Sequence, residues 1–62
     1  MSKTKYAVYS ERHQKTIRVW DDLDTAIIEC DELARLDAFW GNTNRVSVID
    51  VLSGNEVHFK YA

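Results

Sequence analysis

The chain has 62 residues, of which 45% are hydrophobic and 29% are charged, and its formal net charge is −2. This length excludes a protein of several domains, and the composition is not that of a disordered chain, so we expect one globular domain over residues 1–62. The small net charge hides an uneven distribution, because residues 1–20 are net positive and residues 21–40 are strongly negative.

Two segments near the start have the pattern of β-strands. Lys5–Ser10 and Lys15–Trp20 are rich in β-branched and aromatic residues, and the four polar residues between them suit a hairpin loop. A register that pairs Ser10 with Lys15 defines the two faces of this hairpin. The face that we expect to meet the core carries Tyr6, Val8, Ile17 and Val19. The outer face carries Ala7, Tyr9, Thr16, Arg18 and Trp20.

The segment from Leu23 to about Phe39 has the periodicity of an amphipathic helix. Asp22 precedes it and can accept hydrogen bonds from free backbone N–H groups as an N-cap, and Gly41 suits a left-handed stop. Apolar residues recur at helical spacing and form one stripe, which consists of Leu23, Ala26, Ile27, Cys30, Leu33 and Ala34. We expect this stripe, including Cys30 and Leu33, to be buried.

The C-terminal third predicts a second hairpin. Arg45–Val51 and Asn55–Tyr61 have strand patterns, and Gly54 suits a positive φ in the turn between them. A register that sets Ser47 opposite Phe59 defines the faces. The core side is expected to carry Ile49, Val51, Val57, Phe59 and Tyr61. The outer side is expected to carry Val46, Val48, His58 and Lys60.

These elements predict an α+β fold of plan ββαββ, in which one helix packs on one face of a four-stranded sheet. We expect the strand order 2-1-4-3, with the first and fourth strands parallel in the centre. The helix start "DLDTAI" and the turn "VLSGNEVHFKY" resemble those of small uncharacterised phage and bacterial proteins of hairpin–helix–hairpin plan. The layout also resembles the immunoglobulin-binding grasp domains, without sharing a functional motif with them.

The residues that usually carry catalysis or bind cofactors are not arranged in a recognisable motif. The two glycines stand apart, so no phosphate-binding loop is predicted, and Cys30, His13 and His58 lie on three different elements rather than at metal-ligand spacing. The position of Cys30 in the apolar stripe favours an inert core thiol. We therefore expect a protein that is not an enzyme and has no cofactor or metal.

Cysteine usage and hydropathy indicate where the protein works. A single cysteine excludes an internal disulfide and favours a reducing, cytoplasmic setting. No apolar run approaches the roughly 20 residues of a membrane span, and the N-terminal sequence lacks the apolar region of a secretion signal. We expect no membrane partner.

Three surfaces could bind a partner. The first is the acidic helix, where Asp24, Asp31 and Glu32 would face a protein with a basic surface, unless they form only an ordinary solvated face. The second is the apolar pair Ile28 and Phe39, unless Phe39 folds back onto the core. The third is the uncovered sheet face, predicted to carry Tyr9, Trp20, Val46, Val48 and His58 together with Lys and Arg residues.

The uncovered face leaves three alternatives: a protein interface, which includes a homodimer, a platform for single-stranded nucleic acid, or plain surface. The acidic helix makes nucleic acid the less favoured partner, because its field repels phosphate. We expect a non-enzymatic protein-interaction module, of the kind that phages use as inhibitors or regulators. The alternative is a small domain that binds single-stranded nucleic acid through its sheet.

Overall fold

A computed structural model describes residues 4–62. It contains, in chain order, β1 (Tyr6–Ser10), β2 (Lys15–Trp20), α1 (Leu23–Phe39), β3 (Arg45–Asp50) and β4 (Glu56–Tyr61). The four strands form one sheet and α1 packs on one of its faces. The predicted α+β fold of plan ββαββ is therefore confirmed. Within the described residues, no helix is both long and apolar enough to cross a membrane.

The strand order is β2-β1-β3-β4, and all neighbouring strands are antiparallel. The predicted order 2-1-4-3, with β1 and β4 as central neighbours, is wrong: β3 lies between them, although β1 and β4 do run in the same direction. Strand β3 carries three consecutive buried residues, whereas β4 is exposed along most of its length. The central position suits the more buried of the two strands, and it gives β1 an antiparallel neighbour, which is the slightly more stable pairing.

Local signals at both ends of α1 act as the sequence predicts. The carboxylate of Asp22 accepts hydrogen bonds from the backbone N–H of Thr25 at 3.0 Å and from its hydroxyl at 2.7 Å. At the other end Gly41 has φ +76°, and the amide of Asn42 donates to the carbonyl of Asp37 at 2.8 Å. Together these contacts satisfy backbone groups that the helix itself leaves unpaired.

The core is built from small side chains. Among residues 4–62, the buried hydrophobic residues are all alanine, valine or cysteine: Ala7, Val8, Ala26, Cys30, Ala34, Val46 and Val48. Leu23, Ile27 and Leu33 pack against the rim of this cluster and are only partly buried. The predicted helix stripe is thus the one that meets the sheet, but Leu33 is less buried than expected.

A β-bulge in the first hairpin places the last residues of β2 on the opposite faces from those predicted. Val8 pairs with Arg18 and Tyr9 pairs with Thr16, so that Ile17 is an extra residue between the two pairs. Beyond the bulge the alternation shifts by one position, and Trp20 packs on the helix side. The prediction that Trp20 lies on the outer face is therefore wrong.

The second hairpin has the expected register at one point but the opposite orientation. Ser47 does pair with Phe59, but the fully buried side chains are those of Val46 and Val48, while Phe59 remains 47% exposed. The prediction that Val46 and Val48 lie on the outer side of this hairpin is wrong, and their burial leaves neither side chain available to a partner. The helix presents only Ala26, Cys30 and Ala34 at its closest approach, and we attribute the reversal to this narrow stripe, which accommodates valine more readily than aromatic rings.

Candidate protein-interaction surface

The side of the sheet away from α1 has no layer covering it among the described residues, and we call it the open face. By strand alternation and register it carries two cross-strand rows. One row consists of Thr16, Tyr9, Ser47 and Phe59. The next row consists of Val19, Ala7, Ile49 and Glu56. Arg45, Val57 and Tyr61 complete the open face beside these rows.

Aliphatic and aromatic groups dominate the open face. Val19, Val57 and Phe59 are each close to half exposed, and Tyr61 is more exposed still. The rings of Phe59 and Tyr61 contact each other edge to face, with centroids 5.6 Å apart. Apolar side chains left open to water on neighbouring strands form the kind of patch that marks an interface.

Arg45 lies at the centre of a charged group inside this apolar surface. Its guanidinium stands 4.6 Å from the centroid of the Phe59 ring and 5.8 Å from that of Tyr61. One of its nitrogens donates to Glu56 Oε1 at 2.6 Å, and another donates to Ser47 Oγ at 3.0 Å. The arginine is therefore held beside the two rings by a carboxylate and a hydroxyl.

The pairing of Arg45 with Glu56 fixes the charge states of both groups. The hydrogen bond from Arg45 holds the pKa of the Glu56 carboxylate below its usual range. The same hydrogen bond raises the pKa of the Arg45 guanidinium. Both groups are ionised at neutral pH, so their charges cancel within the open face.

Most carboxylates of α1 already have partners. Asp31 bonds to His58 Nε2 at 3.0 Å, and Glu32 lies 3.8 Å from the guanidinium of Arg35. Asp24 is exposed and, within residues 4–62, its carboxylate makes no hydrogen bond or ion pair. The predicted acidic surface is present, but its charge is less available to a partner than the sequence indicates.

Two further carboxylates of α1 bond to residues of the sheet and its loops. Trp20 Nε1 donates to Glu29 at 2.9 Å, and the guanidinium of Arg18 lies 3.9 Å from the same carboxylate. Asp37 accepts from Asn44 at 2.6 Å. These bonds fasten the helix to the loops and strands around it, which is a structural use of acidic residues.

The apolar residues on the outside of α1 do not fold back onto the core. Phe39 is 78% exposed and packs edge to face against the ring of Trp40, with centroids 5.3 Å apart. Ile28 is also exposed, and it lines a groove between α1 and β4 together with Arg35 and Tyr61. Of the two alternatives for Phe39, the structure therefore favours exposure.

Cys30 and His58, which the sequence places on separate elements, come together with Asp31. Their donor atoms, one from each side chain, all lie within 4.8 Å of one another. Cys30 is fully buried and its thiol lies 3.2 Å from the carbonyl of Val46. Burial, reinforced by the negative charge of Asp31, raises the pKa of the Cys30 thiol to about 11. Without a metal this thiol is a poor nucleophile.

The residues that the sequence predicts on the uncovered sheet face lie, in the structure, on both faces of the sheet. Tyr9 lies on the open face as predicted, whereas Trp20, Val46, Val48 and His58 lie on the helix side. Sequence reasoning missed the contributions of Arg45, Val57, Phe59 and Tyr61. The row of small residues on α1 could have indicated them. It favours close packing of the helix against valine, which leaves the larger side chains of the second hairpin on the open face.

Comparison of the chain with protein-family models, with curated protein sequences and with solved structures finds no match. The function therefore has to be argued from the geometry of these surfaces.

Proposed function

We propose that the protein is a non-enzymatic protein-interaction module that binds through its open face, and that the first occupant of this face is a second copy of the chain. The observation that carries the proposal is the group formed by Arg45, Glu56, Phe59 and Tyr61, which is apolar in its contact surface and neutral in charge. Such a surface is suited to another apolar surface rather than to a strongly charged one.

The open face is suited to a copy of itself. A two-fold dimer places the same patch on both sides of the interface, and each copy satisfies its own Arg45 through Glu56 and Ser47. Like charges are therefore not left facing each other without partners. Two sheets that pack face to face bury the exposed rings between them, at a separation of about 10 Å.

The thin core also favours a second layer. The buried hydrophobic side chains are all small, and a domain of this size buries a limited fraction of its surface by itself. Four strands of five or six residues give an open face of roughly 19 by 20 Å in projection. This face is smaller than a standard interface, which buries about 800 Å² per partner. We therefore expect a weak dimer, with a dissociation constant on the order of micromolar.

Analytical ultracentrifugation tests the dimer directly. The wild-type protein should sediment as a concentration-dependent mixture of monomer and dimer. Phe59→Asp should be monomeric over the same range, because it places a charge inside the apolar contact. The matched control is Phe39→Asp, which changes an exposed phenylalanine on the helix and should leave the dimer intact.

Two outcomes would contradict this proposal. The first is a wild-type protein that stays monomeric at every concentration tested. The second is a dimer that Phe39→Asp abolishes and Phe59→Asp does not, which would place the interface on the outside of α1. Circular dichroism of both variants establishes that they are folded.

A second candidate function is supported by the aromatic residues of the open face. Tyr9, Phe59 and Tyr61 could stack on single-stranded bases. The cation beside them is already paired with Glu56, and Lys5, just before β1, bonds to Asp21 at 2.7 Å. Phosphate binding would have to compete with these pairs, so we consider nucleic acid the less favoured partner.

Fluorescence anisotropy of labelled single-stranded oligonucleotides separates the two functions. Under the dimer proposal we expect no saturable binding at physiological salt. Saturable binding that Phe59→Ala weakens would favour the nucleic-acid function instead. The label is needed because Trp20, which packs towards α1 and bonds to Glu29, is not positioned to report on the open face.

A further inference from the structure

The structure brings three metal-ligand side chains together on the helix side of the sheet, away from the open face. Cys30 and Asp31 are consecutive residues of α1, and His58 lies on β4 opposite Val48. The Nε2 atom of His58 is 3.0 Å from Asp31 Oδ1, and one donor atom from each of the three residues lies within 4.8 Å of the others. We propose that this group binds a divalent transition-metal ion of the zinc type.

The spacing requires little rearrangement to hold such an ion. Zinc bonds to sulfur, nitrogen and oxygen at about 2.0–2.3 Å, so that tetrahedral ligand atoms lie roughly 3.3–3.8 Å apart. Closing the widest gap in the group takes a shift on the order of 1 Å, within the reach of side-chain rotations of Asp31 and His58. Cys30 is held in the core and supplies the fixed point.

The identity of the donors selects the class of ion. A thiolate and an imidazole suit Zn²⁺ and Co²⁺, whereas Ca²⁺ and Mg²⁺ prefer a shell made of oxygen atoms. One thiolate and one carboxylate balance the two positive charges of the ion, so the filled site is neutral next to an apolar core. On binding, the proton of the Cys30 thiol passes to solvent.

The burial of the three ligands indicates where a fourth ligand would enter. Cys30 is closed off by the core, while the side chains of His58 and Asp31 are 30% and 46% exposed. Three protein ligands with one side open to solvent leave a coordination position for water. The ion would also tie α1 to the edge strand β4, which otherwise has only β3 as a strand neighbour.

Cobalt titration of the 62-residue chain tests the site. We expect one Co²⁺ per chain, a thiolate-to-cobalt charge-transfer band in the near ultraviolet, and visible bands of tetrahedral strength that Zn²⁺ abolishes by displacement. Loss of a side chain that only hydrogen-bonds to a metal ligand weakens metal binding by roughly 10- to 100-fold. His58→Gln removes a direct ligand and should therefore weaken Co²⁺ binding by at least about 100-fold. His13→Gln, a change in the first hairpin loop, is the matched control and should bind as the wild type does.

Cys30→Ser should remove the charge-transfer band, but it alters a buried residue and could unfold the chain. His58→Gln keeps the test decisive, because His58 is partly exposed and its loss leaves the core intact. The proposal is overturned if wild-type protein gives no charge-transfer band. It is equally overturned if His58→Gln binds Co²⁺ as tightly as wild type, or if His13→Gln weakens binding as much as His58→Gln does.

Discussion

At the scale of single residues, Asp22 shows how one side chain sets the start of the helix. Its carboxylate accepts two hydrogen bonds from Thr25, and these bonds hold the pKa of Asp22 below its usual value of 3.8. A group whose pKa is lowered by folding stabilises the fold above its unfolded pKa. That contribution is lost as the pH falls through the lower, folded value.

We expect Asp22→Ala to lower the thermal midpoint at neutral pH, because the N-cap bonds are lost. The difference from wild type should shrink as the pH is lowered below about 4, where the carboxylate becomes protonated. Asp24→Ala is the control, since Asp24 is exposed and caps nothing. Equal midpoints for Asp22→Ala and wild type at neutral pH would argue against the cap. Melts followed by circular dichroism measure all three proteins.

Two valines of the second hairpin test which face meets the helix. Val48 is fully buried, whereas Val57 is 46% exposed. Val48→Ala should lower the free energy of unfolding by about 1.5–3 kcal/mol, because it removes buried methyl groups and leaves a cavity. Val57→Ala should cost less than about 1 kcal/mol.

Urea unfolding of dilute protein compares the two valine variants without a contribution from dimerisation. The reverse order of costs, with Val57→Ala the more damaging, would mean that α1 covers the opposite face of this hairpin.

At the scale of the elements, the turn between β3 and β4 depends on the backbone of Gly54. Its φ is +75°, and a Cβ atom built at this position meets no atom within 4 Å. Gly54→Ala should therefore destabilise the protein only through the left-handed backbone, by about 1–2 kcal/mol. Gly54→Asn should cost less, because asparagine tolerates this conformation better. Denaturant unfolding of both variants checks this order, and an alanine variant as stable as wild type would contradict the positive φ.

The bounds of the elements were predictable because their signals are local. Periodicity and the Asp22 cap define α1, and polar loops separate the strands. The orientation of the strands was not predictable, because β3 carries β-branched side chains on both of its faces. A single-residue bulge at Ile17 and another at Val57 then shift the alternation of their strands. Neither bulge contains a glycine or proline that would indicate it in the sequence.

The candidate sites depend on contacts between distant parts of the chain, and this is why sequence reasoning reached them only in part. Arg45 meets Glu56 and Phe59 because β3 and β4 pair in one register. Cys30 meets His58 only once β4 turns that residue towards α1. The strand order likewise follows from which strand is best buried, a property of the assembled sheet.

At the scale of the whole molecule, a dimer through the open face would make stability depend on protein concentration. Association stabilises the folded form by mass action, so the thermal midpoint of wild type should rise as concentration increases. Phe59→Asp should lose this dependence, and at high dilution its midpoint should be close to that of wild type, since Phe59 is almost half exposed in the single chain. Scanning calorimetry over a hundredfold range of concentration measures how the thermal midpoint of each protein depends on concentration. A wild-type midpoint that does not move would count against association.

The strand order also determines how the molecule responds to a pulling force. β1 and β4 are both antiparallel to β3, so Tyr6 at the start of β1 and Tyr61 at the end of β4 lie at opposite ends of the sheet. Tension between these two points shears the strands along their length and strains whole rows of hydrogen bonds at once. Tension between Arg45 and Tyr61, which face each other across β3 and β4, opens that hairpin one bond at a time. The domain should therefore be mechanically strong along the first direction and weak along the second.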